Sequence, residues 1–232
     1  AVTRRLAASA ERSPEQQARW ANNLSIRLSD VGDRVGALEA AREAVRLRRA
    51  LAEAPPAAYT SGLAMSLSNL ANCLSGVGER NGALVAAREA VELYRGLAEA
   101  SPQAYTPDLA GSLSNLATIL SAVGERNRAL VAAREAVELY RGLAEASQQA
   151  YTPDLALSLN NLAAFLSGVG ERNEALEAAR EAVRLRRALV EASPATYTSD
   201  LAMSLTNLAI RLSEVGERNG ALVAAREAVE LY

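Results

Sequence analysis

Residues 59–104 read YTSGLAMSLSNLANCLSGVGERNGALVAAREAVELYRGLAEASPQA, and residues 105–150 read YTPDLAGSLSNLATILSAVGERNRALVAAREAVELYRGLAEASQQA. The two segments are identical at 38 of 46 positions. A tyrosine opens each copy, at Tyr59, Tyr105, Tyr151 and Tyr197, always 46 residues apart. Similarity this high at a fixed period is typical of a tandem repeat array.

Counting outward from these tyrosines divides the whole chain. We expect repeat 1 at 13–58, repeat 2 at 59–104, repeat 3 at 105–150, repeat 4 at 151–196 and a truncated repeat 5 at 197–232. Residues 1–12 resemble the tail of a preceding repeat, so the chain is expected to be a piece of a longer array. Together the repeats are expected to form one domain.

Each repeat contains two helical patterns. In repeat 3, apolar residues at helical spacing predict a first helix over about 107–122, with Thr106 as its N-cap and Pro107 in its first turn. Gly124 interrupts the pattern, and Asn127 is the predicted cap of a second helix over about 127–147. One hairpin cannot bury its own apolar face, so the copies must stack. The predicted fold is all-α, an α-solenoid of antiparallel hairpins.

The composition excludes several chemistries. All 25 basic residues are arginine, against 27 acidic residues, and the chain has no lysine, no histidine and one cysteine. A phosphate-binding P-loop lacks its lysine, a serine or cysteine nucleophile lacks its usual base, and thiolate or imidazole metal sites lack their ligands. We therefore expect no enzyme activity, no cofactor and no metal. The single cysteine, the short apolar runs and the lack of a signal-peptide pattern predict a cytoplasmic protein without a membrane segment.

The motif SLNNLA at 158–163, with Leu166, Gly170, Ala175 and Ala182, resembles the signature of a tetratricopeptide hairpin. The 46-residue unit is similar to the long repeats of kinesin light chain and of bacterial signalling proteins. The resemblance implies a right-handed superhelix, a concave groove lined by first helices, and a protein or peptide partner. Arrays of this kind also resemble those attached to NB-ARC ATPases and CHAT proteases, which implies a sensor arm in a larger signalling protein.

The repeats differ most along one face of the first helix. With Met65 set at 0° and about 100° per residue, Asn72 lies near −20°, Gly76 near +20° and Ser68 near −60°, opposite the unchanging leucines. We call the four columns through these positions the first-helix stripe and predict that they bind the ligand. The stripe comprises Arg19, Asn22, Ile26, Asp30, Met65, Ser68, Asn72, Gly76, Gly111, Ser114, Thr118, Ala122, Leu157, Asn160, Ala164, Gly168, Met203, Thr206, Ile210 and Glu214.

The chemistry of the stripe favours one class of ligand. Its charged members are Arg19, Asp30 and Glu214, too few basic groups for a phosphate backbone, so nucleic acid is not an expected partner. Apolar members such as Met65 and Leu157 favour a helix or an extended peptide with apolar anchors. Two alternatives stay open: a structural module that self-associates into a homo-oligomer while the stripe merely drifts, and an RNA-reading helical repeat.

Other residues have simpler interpretations. An invariant asparagine column either grips a ligand or bonds to neighbouring helix ends, and the structural role is favoured: Asn23, Asn69, Asn115, Asn161 and Asn207. Cys73 is expected at the boundary between the two faces, against a neighbouring repeat. The paired arginines of the second helices are expected on a solvated face, partly paired with Glu53 and Glu191: Arg48, Arg49, Arg186 and Arg187.

Overall fold

The computed structural model describes residues 13–52 and 59–231, and these residues form ten α-helices and no strand. The helices are α1 (Pro14–Asp30), α2 (Arg34–Ala52), α3 (Thr60–Gly76), α4 (Arg80–Ala100), α5 (Pro102–Ala122), α6 (Arg126–Ala146), α7 (Gln148–Gly168), α8 (Arg172–Ala192), α9 (Pro194–Glu214) and α10 (Arg218–Glu230). The predicted tail at 1–12 lies outside the described residues. The predicted all-α repeat fold is confirmed.

The chain divides into two compact units, one ending at Val123 and the other beginning at Gly124. In the first unit, α1 to α4 each pack against the helix that follows. In addition, α1 contacts α3, and α3 contacts α5. In the second unit, α6 to α10 pack in the same consecutive way, and α7 contacts α9. Odd-numbered helices through α9 are first helices of a repeat, and even-numbered helices are second helices.

A glycine turn joins the two helices of each repeat, as Gly124 predicted. In repeat 2, Gly78 has φ +83°, its N–H donates to the Ser75 carbonyl at 3.0 Å, and the N–H of Glu79 donates to the Leu74 carbonyl at 2.9 Å. This pair of bonds is a Schellman motif, which needs a left-handed residue and so favours glycine. Because the motif ends at Glu79, α4 begins at the very next residue.

The predicted cap of the second helix was wrong, although α6 begins at Arg126, one residue before the predicted start. The N-cap of α6 is Glu125, whose side chain makes no capping bond, and Asn127 already lies inside the helix. The predicted start of the first helix was also wrong. The helix α5 begins at Pro102, so Thr106 does not cap it and Pro107 lies inside it. Pro107 lacks the N–H that would bond to the carbonyl of exposed Gln103, where water can take that bond.

Small side chains hold the helices together. Leucines of one first-helix column are 1–2 % exposed in repeats 2 to 5, and the alanines three residues before them are fully buried: Leu67, Leu113, Leu159, Leu205, Ala64, Ala110, Ala156 and Ala202. The second helices bury alanines too, such as Ala83, Ala87 and Ala90 of α4, so the backbones can approach closely. Two tyrosines of the second helices, Tyr94 and Tyr140, are also buried. None of the helices in the described part of the chain is long and apolar enough to cross a membrane.

Candidate binding surface

Most of the first-helix stripe is exposed. Fourteen members are open to solvent: Arg19, Ile26, Asp30, Met65, Asn72, Gly76, Thr118, Ala122, Leu157, Ala164, Gly168, Met203, Thr206 and Ile210. Four are half-buried: Ser68, Gly111, Ser114 and Glu214. Across the same helices, Leu74 and Leu116 are buried and Leu70 is half-buried. The first helices therefore direct the invariant leucines inward and the variable stripe outward.

Two stripe members, Asn22 and Asn160, lie in the seam between adjacent first helices, each only 5 % exposed. Asn22 accepts a 2.9 Å hydrogen bond from Asn69 and donates to the Met65 sulfur at 3.8 Å. Asn160 donates to Ser204 Oγ at 2.7 Å, while its buried Oδ1 has no hydrogen-bond partner within the described residues. These two amides bridge neighbouring repeats and do not present an open polar surface.

The invariant asparagine column also bridges repeats where its bonds are seen. Asn69 donates to Asn22, and Asn115 Nδ2 donates to the Ser68 carbonyl at 3.5 Å. Both acceptors lie within the preceding first helix and not at its end, which is where the bonds were expected. This column therefore sets the contact between consecutive first helices in the first unit.

Cys73 is half-buried, and its Sγ lies 3.9 Å from Ser29 Oγ in the preceding first helix. Burial raises the pKa of the thiol, and the hydrogen bond with Ser29 only partly opposes this rise. A thiol with a raised pKa is a poor nucleophile at neutral pH. The residue contacts a neighbouring repeat, as its position at the edge of the stripe predicted.

The charges of the stripe are few and partly engaged. Asp30 lies 3.8 Å from Arg27, a weak exposed pair. Glu214 accepts a 2.8 Å hydrogen bond from Ser167 and lies 3.2 Å from Arg211. Arg19 is exposed. The stripe therefore combines neutral polar, small and apolar side chains with little free charge.

The second helices carry a ladder of ion pairs that the sequence interpretation missed. One rung joins an arginine to a glutamate 37 residues later, as in Arg42–Glu79 at 2.9 Å and Arg180–Glu217 at 3.2 Å. The other spans 40 residues, as in Arg141–Glu181 at 2.7 Å. The same two spacings recur in Arg49–Glu89, Arg134–Glu171 and Arg187–Glu227. The strict recurrence of both charges in every copy was the available signal.

The prediction of a solvated, partly paired second-helix face holds for Arg49 and Arg187, which are exposed, and is wrong for Arg186, which is buried. Arg49 and Arg187 pair with glutamates of the following repeat. Arg186 is only 4 % exposed, and its Nη1 lies 2.8 Å from Asp200 at the start of α9. Glu53 lies outside the described residues. Each pair links one repeat to the next, so these charges are structural.

Two of the hollows in the second unit adjoin the first helices. A furrow of 1010 Å³ between α6 and α8 has Leu162 of α7 among its lining residues and the Arg134 and Arg141 rungs at its walls, where the charges pair with each other. A smaller apolar hollow of 440 Å³ lies between α9 and α10. The residues equivalent to its lining one repeat earlier, such as Ala163, are buried by the following repeat, so this hollow is a stacking face and does not indicate a ligand site.

This chain is a helical-repeat protein. It consists of tandem antiparallel hairpins, each with a glycine turn, and contacts join one repeat to the next. The tetratricopeptide repeat model matches it over residues 17–55, 63–100, 109–147, 155–195 and 201–232. The chain belongs to the tetratricopeptide repeat family. Repeats of this family commonly mediate protein–protein interaction, and the family and its structural neighbours are generally non-catalytic scaffolds that bind proteins or peptides.

Solved structures of similar fold include kinesin light chain-like proteins. One, from Podosopora anserina with nearly identical TPR-like repeats, is 18 % identical with TM-score 0.71, covering 94 % of this chain and 96 % of that one. BtubC (BKLC) from P. vanneervenii is 22 % identical with TM-score 0.74, covering 100 % and 91 %. YrrB, a TPR protein with an unusual peptide-binding site, is 18 % identical with TM-score 0.51, covering 100 % and 92 %. No curated protein sequence matches the chain.

Proposed function

We propose that this chain is a non-catalytic scaffold that binds a protein or peptide along the first-helix stripe. Each unit offers its own segment, on α1, α3 and α5 in the first unit and on α7 and α9 in the second. The observation that supports this proposal is the exposure of large apolar side chains on the stripe. Five of them are 41–50 % exposed: Ile26, Met65, Leu157, Met203 and Ile210. These include both methionines of the chain and two of its three isoleucines.

Exposed aliphatic side chains gather on surfaces that bind partners. In the second unit, Leu157 and Met203 occupy equivalent positions on neighbouring first helices, and Ile210 lies two turns after Met203 on the same exposed face of α9. Methionine adapts its shape to different partners at little cost. A helix or an extended peptide with two or three apolar side chains is the ligand that this surface favours.

The stripe argues against nucleic acid as the ligand. Arg19 is its one basic residue, and a phosphate backbone or an RNA strand read base by base requires many. The proposed setting is a cytoplasmic sensor arm in a larger bacterial signalling protein. This setting rests on analogy with NB-ARC- and CHAT-associated arrays. The flanking gene sequence tests it, because an effector domain would carry a Walker motif or a His/Cys dyad.

The binding surface is tested with peptides selected from a displayed random library against the whole chain. A variant carrying Leu157→Ser, Met203→Ser and Ile210→Ser removes three exposed apolar anchors of the second unit. We expect it to bind the selected peptides at least about tenfold more weakly than the unmodified chain, measured by fluorescence anisotropy.

The matched control replaces three exposed valines of second helices, away from the stripe: Val85→Ser, Val131→Ser and Val223→Ser, at residues 65–67 % exposed. This control should keep full affinity. Equal losses in the two variants would mean that any exposed apolar residue binds these peptides, and the stripe would not be the site. Light scattering over a concentration range tests the alternative, self-association. A molar mass that increases with concentration in the unmodified chain, but stays at the monomer value in the stripe variant, would indicate it.

A further inference from the structure

One position of the second helix occurs in two forms along the array. Repeats 2 and 3 have tyrosine there, Tyr94 and Tyr140, whereas repeats 1 and 4 have Arg48 and Arg186. The position faces the start of the following first helix. Because repeats 1 and 4 share this arginine but differ in the helix that follows, each serves as an internal comparison for the other.

Arg186 shows what the arginine does when its partner is present. Its side chain is 4 % exposed, and Nη1 lies 2.8 Å from the carboxylate of Asp200. Removing a guanidinium from water costs several kcal/mol unless an opposite charge compensates it. Asp200 supplies that charge from within the chain, across the junction between α8 and α9.

Arg48 occupies the same position without the carboxylate. The residue equivalent to Asp200 is Gly62, and a Cβ built on Gly62 would lie 2.6 Å from both Cζ and Nη1 of Arg48. The guanidinium thus lies where the aspartate side chain begins in the other copy. Its Nε is buried without a hydrogen-bond partner, as is the Nε of Arg186. The difference between the two is that Arg186 forms an ion pair with Asp200, whereas Arg48 forms none with any described residue. The side chain as a whole is half-buried, so part of it meets solvent.

We propose that Arg48 binds a carboxylate supplied by a partner, in place of the aspartate that the second repeat lacks. The site lies one helical turn before Met65 on α3, at the edge of the first-helix stripe. An acidic side chain of a bound protein or peptide would complete the pair that Asp200 completes at Arg186. Arginine suits this role because its planar fork matches a carboxylate in two parallel bonds. The site extends the proposed function by adding one acidic residue to the apolar ligand.

The test uses acetate as the probe and follows the arginine Nε–Hε resonances by NMR at constant ionic strength, with chloride as the balancing anion. Acetate should shift the Arg48 resonance saturably and leave the Arg186 resonance unchanged. Gly62→Asp should abolish the Arg48 response, because the flexible guanidinium can move aside and pair internally. Asp200→Gly should create a new saturable response at Arg186.

Glu53→Gln decides whether an acid of the same chain already fills the site. An Arg48 response that appears only in this variant would overturn the proposal, because Glu53 would then be the partner. A response in the unmodified chain that Gly62→Asp leaves intact, or an equal response to chloride, would overturn it too. Circular dichroism checks that each variant folds, and if Asp200→Gly does not, the Gly62→Asp comparison still decides. Since no stripe ligand is used, this site and the proposed function can fail separately.

Discussion

Leu157 and Leu159 lie two residues apart on α7 and face opposite ways. Leu157 is 44 % exposed on the stripe, while Leu159 is 2 % exposed in the interior. Replacing either by alanine changes helix propensity equally, so the difference between the two variants reports burial. Leu159→Ala loses its full transfer free energy and leaves a cavity, at about 2–5 kcal/mol. Leu157→Ala loses about half of the transfer term and leaves an open surface, at roughly 0.5–1 kcal/mol.

For a chain of this length, about 1 kcal/mol corresponds to roughly 2–4 °C in melting temperature. Taking about 3 kcal/mol for Leu159→Ala, we expect its midpoint to fall by roughly 6–12 °C, and that of Leu157→Ala by about 1–4 °C. Far-ultraviolet circular dichroism measures both. Amide hydrogen exchange within α7 adds a local readout in case the array does not melt as one unit.

The next repeat offers a replicate of the same experiment. Met203 and Leu205 occupy the equivalent positions on α9, at 41 % and 1 % exposure. Leu205→Ala should again cost several times more than Met203→Ala. If the stripe residue proves the costlier of the two in both repeats, the assignment of the inward and outward faces of the first helices is refuted.

Three further perturbations test the turns, the ladder and a partly desolvated carboxyl. Gly142→Ala, at an exposed helical site with nothing within 4 Å, should raise the free energy of unfolding by about 0.5–1 kcal/mol, whereas Gly124→Ala, at φ +85°, should lower it by about 1–2 kcal/mol in urea titrations. A double-mutant cycle of Arg141→Ala and Glu181→Ala should give a coupling of about 0.2–1 kcal/mol that shrinks in high salt; an unchanged coupling would contradict an ionic origin. Burial raises the pKa of Asp108, so its ionised form destabilises the folded state: the stability present at low pH falls as pH rises through that pKa. Asp108→Asn should therefore be more stable than the unmodified chain at neutral pH. This difference in the free energy of unfolding should disappear below about pH 3.9.

The helix order and the glycine turns could be predicted because local chemistry decides them. A left-handed residue after the first helix, as at Gly78, fixes the turn in every repeat. Helix starts were harder to predict, because Ser101–Pro102 and Thr106–Pro107 both match a cap followed by a first-turn proline. The structure begins α5 at the earlier of the two. An exposed first turn tolerates the second proline.

The faces of the first helix were predictable from angular arithmetic alone, since one helix and its leucines define inside and outside. The seam was not predictable in this way. Asn22 and Asn160 share the outward column of the stripe, yet each is buried by the first helix of the next repeat. Their burial depends on the distance between repeats, and a repeat contains no information about that distance when it is considered alone. The superhelical hand stays a prediction for the same reason.

Invariance across repeats does not by itself separate structure from function. The Arg42–Glu79 and Arg180–Glu217 pairs recur because they join consecutive repeats. The second helices therefore do not show how much the sequence of an unconstrained exposed surface varies between repeats. A better measure is a second-helix column that is exposed in all five repeats: Glu39, Val85, Val131, Glu177 and Val223. Among these residues, only Glu177 forms an ion pair in the structure, with Arg180. Two of the column's five members are charged.

The two most variable stripe columns differ from that free column. They contain one charge in ten positions: Arg19, Met65, Gly111, Leu157, Met203, Ile26, Asn72, Thr118, Ala164 and Ile210. Charges are the usual outcome where a side chain meets only water. We propose that this scarcity of charge reflects contact with an apolar ligand. Because three of the five residues in the comparison column are valine, the scarcity of charge, and not the exposure of apolar side chains, separates the stripe from that column.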